Sequence, residues 1–270
     1  MSDSTMDELK HNHAFVICAY KQSPYLQECI DSLRAQTVQS PIKIATSMPS
    51  DWLREVAERN VIPLAVNPIH IGMADDFNFA LSQGNAEFVT LCHQDDIYEP
   101  LYTVSILEAI HRAKEPIIAF SDYYELREGG RVDANRLLII KRLMNFPLRS
   151  PFLWNARWVR RTILRFGNPI CCPSVTFVMT QAVDPVFDVG FKNNMDYKAW
   201  VDLSPRKGSF VHCPQRLMGH RIHEESGTTQ HIHDNSRGEE DLRVLSLLWP
   251  VPIAKAVFRF YRKAQQSNQF

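Results

Sequence analysis

FVTLCHQDDIYEP, residues 88–100, sets an apolar-leaning run against two adjacent carboxylates, Asp95 and Asp96, and ends on a proline that can open a helix. The run 88–92 is short, β-prone and free of charge, as expected of a strand covered on both faces. The charge that follows has no partner within the stretch. Two uncompensated carboxylates at the end of a buried strand are costly, so they mark either a ligand at that edge or the cap of the helix entered at Pro100.

The surrounding sequence decides what kind of sheet this strand joins. Further β-prone runs are AFVICAY (14–20), IKIAT (42–46), IPLAV (62–66), IIAFS (117–121) and PSVTFVM (173–179). Helical patterns fall between them. In PYLQECIDSLRAQ, Pro24 suits a first helical position, and Leu26, Cys29, Ile30 and Leu33 recur at the spacing of one buried face. Helices are also expected over 51–60, over 74–82 with Gly84 as a stop, over 100–114, and from DYKAWVDL at 196–203. Strands alternating with helices predict an α/β fold, a mostly parallel sheet with helices on both faces. Ligands bind such sheets beyond the carboxyl ends of the strands. Ala19, Tyr20, Thr46, Ser47, Asn67 and the group Gln94, Asp95 and Asp96 should therefore share one rim.

At 270 residues the chain can bury a large core, and 30 basic residues balance 30 acidic ones. That balance argues against a general nucleic-acid binder. Six cysteines without a CxxC pair suit a reducing cytosol. MSDSTMDELKHNH has no apolar core of a signal peptide, and no uncharged run is long enough to span a bilayer. The expectation is a cytoplasmic protein, with peripheral contact on the inner face of the membrane left open.

Residues 131–167 form a basic, aromatic excursion expected to be helical. Arg131, Arg136, Lys141, Arg142, Arg149, Arg157, Arg160, Arg161 and Arg165 face one acid, Asp133, and Phe146, Phe152, Trp154 and Trp158 are interleaved. Such a segment suits a membrane headgroup region or a lipid-linked pyrophosphate. It equally suits a solvated helical pair packed on the main domain. The tail, 236–270, is apolar and basic, interrupted by Pro250 and Pro252, and reads as a helical appendage for membrane contact or dimerisation. The main domain is expected over 13–235.

Paired carboxylates at a strand end suit a hard divalent cation, Mg2+ or Mn2+, which shares its remaining positions with water and substrate phosphates. Taken in order, AFVICAYKQSPYLQECIDSLRAQT, NPIHIGMADDFNFAL, HQDDIYEP, FKNNMDYKAW and HRIHEESGTT resemble family 2 glycosyltransferases, inverting nucleotide-sugar enzymes of the GT-A fold. The resemblance implies that Asp95 matches the last aspartate of the family's Asp-x-Asp motif and binds the cation. His93 stands where the first aspartate is usual. The resemblance further implies that Ala19 and Tyr20 cradle the nucleotide base, that Gln94 and Asp96 contact donor sugar or ribose, and that Arg221 and His223 form an Arg-x-His element near the diphosphate. His223 is then a second metal ligand. The acid usual after the second strand is missing, and Ser47 or Asp51 takes its place. Asp196 matches the catalytic base, a role suited to a carboxylate because the acceptor hydroxyl becomes acidic only as its bond to carbon forms. The same residue fits a helix N-terminal acid that favours the macrodipole.

The implied activity is transfer of a sugar, a UDP-sugar foremost, to a saccharide or lipid-linked saccharide in cell-surface polysaccharide synthesis. A non-catalytic sugar-nucleotide or glycan binder on the same fold is the alternative, encouraged by His93. Nucleotidyl transfer to a sugar phosphate would call for a glycine-rich loop after the first strand, and CAYKQSPY has no glycine. A zinc site among His212, Cys213, His220, His223, His231 and His233 lacks any recognised spacing.

Overall fold

A computed structural model describes residues 12–182, 185–223 and 236–266. His231, His233 and the segment 224–229 of the last motif lie outside the described residues. The first half alternates as expected: β1 (His13–Cys18), α1 (Leu26–Arg34), β2 (Ile42–Thr46), α2 (Asp51–Arg59), β3 (Leu64–Val66), α3 (Met73–Ser82), β4 (Phe88–His93), β5 (Ile97–Tyr98) and α4 (Tyr102–Arg112). The second half continues with β6 (Pro116–Arg127), β7 (Gly130–Val132), α5 (Arg136–Asn145), α6 (Arg157–Leu164), β8 (Val175–Val178), α7 (Met195–Leu203), β9 (Ser209–Arg221), α8 (Ser236–Leu248) and α9 (Val251–Gln266).

Local chemistry explains several of these elements. Leu26, Cys29, Ile30 and Leu33 are buried on one face of α1, the spacing that predicted the helix. Ser50 Oγ accepts from Leu53 N at 3.2 Å and caps α2. Asn135 does the same for α5, accepting from Leu138 N at 2.9 Å.

All strands join one sheet in the order β3-β2-β1-β4-β8-β6-β9-β5, with β7 hairpinned on β6. Among the described residues six strands, β1 to β4, β6 and β9, run in one direction, and β5, β7 and β8 run against it. The carboxyl ends of β1, β2, β4 and β9 therefore lie along one rim. That rim carries the site.

Two strands are longer or later than the sequence pattern suggested. β6 continues past 121 to Arg127 because its second half pairs with β9 and β7. β9 escaped notice because Pro214 and Gly219 break its pattern. Pro214 falls where the register slips from Ser121↔Cys213 to Asp122↔Arg216, a bulge that spares the sheet a missing N–H. At Gly219 an added Cβ would lie 2.7 Å from the Tyr124 ring and 3.0 Å from Ile97, so only glycine lets β9 sit this close to its neighbours.

One hydrophobic core runs beneath the sheet, from Phe15, Ile17 and Leu91 through Phe120, Phe177 and Trp200. Val244, Leu245 and Leu248 of α8 and Ala254 of α9 belong to the same core. A buried polar chain crosses it: His13 bridges Ser40 Oγ and Thr90 Oγ1, each at 2.8 Å, and Thr90 reaches Thr176 at 2.6 Å. Burial pushes the His13 imidazole down to about 3.

Of the excursion's basic residues, several are consumed internally. Arg160 is buried and donates to the carbonyls of Ser204 at 2.8 Å, Gly208 and Arg206. Arg142 donates to Asp133 O and Tyr123 O, each at 2.7 Å. Phe152, 95% exposed, and Trp158, 70% exposed, face solvent instead. On α5 the exposed Ile139 and Leu143, with Phe146 just beyond the helix, recur at i, i+4 and i+7, an outward apolar stripe. Among the described residues no helix is long and apolar enough to cross a membrane.

Candidate active site

Four strand ends build the site. β4 delivers His93 and, in the turn after it, Gln94, Asp95 and Asp96. Gln94 serves as a clamp: its Nε2 donates to Tyr20 O at 2.7 Å and its Oε1 accepts from Tyr20 N at 3.2 Å. Ala19 N donates to Ala45 O at 2.8 Å, which closes the same edge onto β2. The turn after β1 is therefore fixed by β4 on one side and β2 on the other.

Tyr20 lies half-exposed with its ring stacked on His70, centroids 5.9 Å apart. Ser47 Oγ and His70 Nδ1 are 2.8 Å apart, and His70 Nδ1 lies 3.3 Å from Asp76 Oδ2. Burial raises the Asp76 pKa, against hydrogen bonding from Ser47 and the nearby His70. Asn67 Nδ2 donates to Asp75 Oδ2 at 3.0 Å. This corner has an aromatic face, an imidazole and two carboxylates. Asp51 is exposed in the first turn of α2, while Asp75 and Asp76 of α3 bring the acids to the rim.

Asp96 is fully buried. Its Oδ1 accepts from His220 Nδ1 at 3.0 Å and from Arg221 N at 2.9 Å. Burial opposes its charge, yet His220, His93 and the Arg221 amide hold its pKa below the usual carboxylate range. Burial likewise opposes charge on His220, but Asp96 outweighs it and raises that pKa. The pair locks the end of β9 to the turn after β4. Arg221 adds a second tie, with Nε donating to Asp95 O at 2.9 Å and Nη2 to Glu28 at 2.5 Å, its guanidinium 4.2 Å from the Tyr25 ring centroid.

Asp95 is more open, with 18% of its side chain accessible, and its Oδ2 lies 2.7 Å from His223 Nε2. His93, Asp95 and Asp96 each offer a ligand atom within 4.8 Å of the others. Among the described residues the buried Asp96 Oδ2 has no hydrogen-bond partner. A partly open carboxylate, a buried carboxylate oxygen left unsatisfied and adjacent imidazoles fit a divalent cation that prefers oxygen with some nitrogen. Among the described residues the zinc alternative finds no support: His212 is buried against Asp122 at 3.0 Å and Cys213 Sγ contacts Ser105 O at 3.6 Å, away from any ligand cluster.

Asp196 sits in the first turn of α7. Its Oδ2 accepts from Asn168 Nδ2 and its Oδ1 from Tyr197 N, both at 2.7 Å. The relation of Asp196 to the β4 turn is read at His93. Burial lowers the His93 pKa, and Asp96, Asp95 and Asp196 all oppose that shift electrostatically. Asp196 therefore lies near enough to the turn after β4 to act electrostatically on the same imidazole as Asp95. The sequence assigns no role to His70, Asp76 or Asn168, and it offers His220 only as a zinc candidate; the ADD of MADDFNF is the visible signal for the acids of α3.

No protein-family model matches the chain. It is similar to an uncharacterized glycosyltransferase of Haemophilus influenzae, 21% identical over 244 residues covering 84% of this chain and 71% of the relative. Among solved structures it is similar to S. aureus TarS 1-349 in complex with UDP-GlcNAc, with TM-score 0.65 and 13% identity over 95% of this chain and 73% of that one. It is also similar to the mannosyltransferase PcManGT from Pyrobaculum calidifontis in complex with GDP-Man and Mn2+, with TM-score 0.61 and 12% identity over 92% and 69% of the two chains. The chain therefore has the GT-A glycosyltransferase fold that its ordered motifs led us to expect.

Proposed function

We propose that the protein is an inverting, metal-dependent hexosyltransferase that moves a sugar from a nucleotide diphosphate to a saccharide or lipid-linked saccharide. The observation that carries this reading is the cluster of His93, Asp95 and Asp96, with ligand atoms within 4.8 Å of one another and His223 Nε2 2.7 Å from Asp95 Oδ2, at the carboxyl rim of a sheet with the GT-A fold. The nucleotide occupies the corner formed by Ala19, Tyr20, Ser47 and His70, with its base on the exposed Tyr20 ring. Arg221 lies beside the diphosphate. Asp95 and His223, with Asp96 and His93 behind them, are the residues that would hold Mn2+ or Mg2+. A cation bound there neutralises the donor diphosphate.

Asp196 accepts the proton of the acceptor hydroxyl as that oxygen attacks the anomeric carbon. The bond from that carbon to the diphosphate oxygen breaks, its electron pair leaves with the nucleotide, and the anomeric configuration inverts. Asn168 orients the base through Oδ2. A UDP-sugar is the first donor to try, since the fold is similar to a protein solved with UDP-GlcNAc. A role in cell-surface polysaccharide synthesis follows if the acceptor is lipid-linked. The exposed Phe152, Trp158 and α5 stripe, set among arginines, then rest on the inner membrane face.

The test is nucleotide release from a panel of UDP-, GDP- and dTDP-sugars, with and without Mn2+. The reading predicts metal-dependent release from at least one donor. Binding of several donors with turnover of none would favour the non-catalytic binder.

A further inference from the structure

The carboxylate of Glu240 accepts three consecutive backbone N–H bonds, from Lys192 and Asn193 at 2.8 Å and from Asn194 at 2.9 Å. Glu240 belongs to α8, in the tail, and is buried. The three amides belong to the turn that enters α7, and Asn194 is the residue immediately before that helix, two positions before Asp196. Nothing in the mechanism above uses this carboxylate. Charge-assisted bonds to backbone amides are about twice as strong as neutral ones, and three of them on adjacent residues fix the path of a turn.

The rest of the surroundings point the same way. Val244, Leu245 and Leu248, further along α8, are buried in the common core, so the helix cannot shift without disturbing it. Trp249 Nε1 donates to Arg165 O at 2.9 Å, tying the end of α8 to the loop that carries Asn168. Asn168 in turn donates to Asp196. Two paths thus run from the tail to the two sides of the carboxylate: through Glu240 to the turn behind it, and through Trp249 to the loop in front.

We propose that Glu240 is a positioning residue for Asp196, so that the tail helix α8 is a working part of the active site rather than an appendage. This inference rests on the assignment of Asp196 as the base. It requires that weakening the Glu240 anchor misplaces the base while leaving the donor corner at β1, β2 and β4 intact. Misplacement of a reacting group by about an ångström can cost on the order of a hundredfold in rate.

The experiment compares Glu240→Gln, Glu240→Ala and Glu240→Asp with wild type in the full chain. Glu240→Gln should lower kcat on the order of tenfold, and Glu240→Ala further, with the nucleotide-sugar KM within about twofold of wild type. Glu240→Asp, which keeps the charge, should recover part of the loss. Hydrogen exchange of the amides at 192–197 should quicken in Glu240→Gln, while amides of β1 and β4 keep their protection. The inference is overturned by wild-type kcat in Glu240→Gln, or by loss of donor affinity and general deprotection in step with kcat. If the wild-type protein turns over no donor, the assignment of function fails instead. Exchange at 192–197 then still reports whether Glu240 holds the turn.

Discussion

His223 Nε2 lies 2.7 Å from Asp95 Oδ2, across 128 positions of sequence. The contact exists because β9 runs parallel to β6 and ends beside the turn after β4, where Asp96 receives His220 and the Arg221 amide. One aspartate of the pair thus assembles the rim and the other faces outward from it. The division answers why a buried strand ends on two charges: Asp96 is held by His220 and the Arg221 amide, and Asp95 lies partly open beside His223, where the proposed cation would sit.

Asp95→Ala should therefore remove metal-dependent nucleotide binding without unfolding the protein. Titration calorimetry with UDP across a Mn2+ series should show affinity rising with metal in wild type and staying flat in the variant. Unchanged metal dependence in Asp95→Ala would transfer the role to another group.

Asp96→Ala should behave differently. Its removal leaves His220 and the Arg221 amide without their acceptor in a buried setting, a loss on the order of 3 kcal/mol. Urea unfolding should show the drop in Asp96→Ala and only a small change in Asp95→Ala. Equal stabilities would contradict the division of labour.

The excursion 131–167 separates into structural and exposed residues in the same way. Arg160→Ala should cost about 3 kcal/mol, because the carbonyls of Ser204, Arg206 and Gly208 lose their donors. Trp158→Ser should change stability by about 0.5 kcal/mol or less, as an exposed site. The double variant Phe152→Ser with Trp158→Ser should lose co-sedimentation with anionic vesicles at low salt. Equal recovery of wild type on neutral and anionic vesicles would speak against the membrane contact.

Stability should also fall in acid through His13. Burial holds its folded pKa down at about 3, below the ordinary histidine value of 6.5, so between those values the unfolded chain holds a proton that the native one does not. The contribution is intact above the unfolded value and is lost progressively as pH falls towards the folded one. Chemical denaturation at pH 7, 5.5 and 4 should show the decline, and His13→Gln should flatten it. An identical slope in the variant would place the acid sensitivity elsewhere.

How much of this was legible in the sequence follows from the kind of signal each feature leaves. The alternation of β1 to β4 with α1 to α3 was readable because buried parallel strands are apolar runs and their helices keep a 3.6-residue face. Asp95, Asp196 and the Arg221-x-His223 element were reached by resemblance, since spacing alone leaves a cap and a ligand indistinguishable. β9 was hidden by Pro214, whose place in a bulge depends on a partner strand ninety residues earlier. Asn168 and Glu240 leave no local trace. Each acts through a single long-range contact that exists only once α7 and α8 are packed.

The most direct test of the account is turnover by Asp196→Asn at saturating donor and Mn2+, with donor affinity measured on the same preparation. The account predicts near-normal donor binding with transfer reduced on the order of a hundredfold or more, the loss of a general base. Full turnover in Asp196→Asn would contradict it.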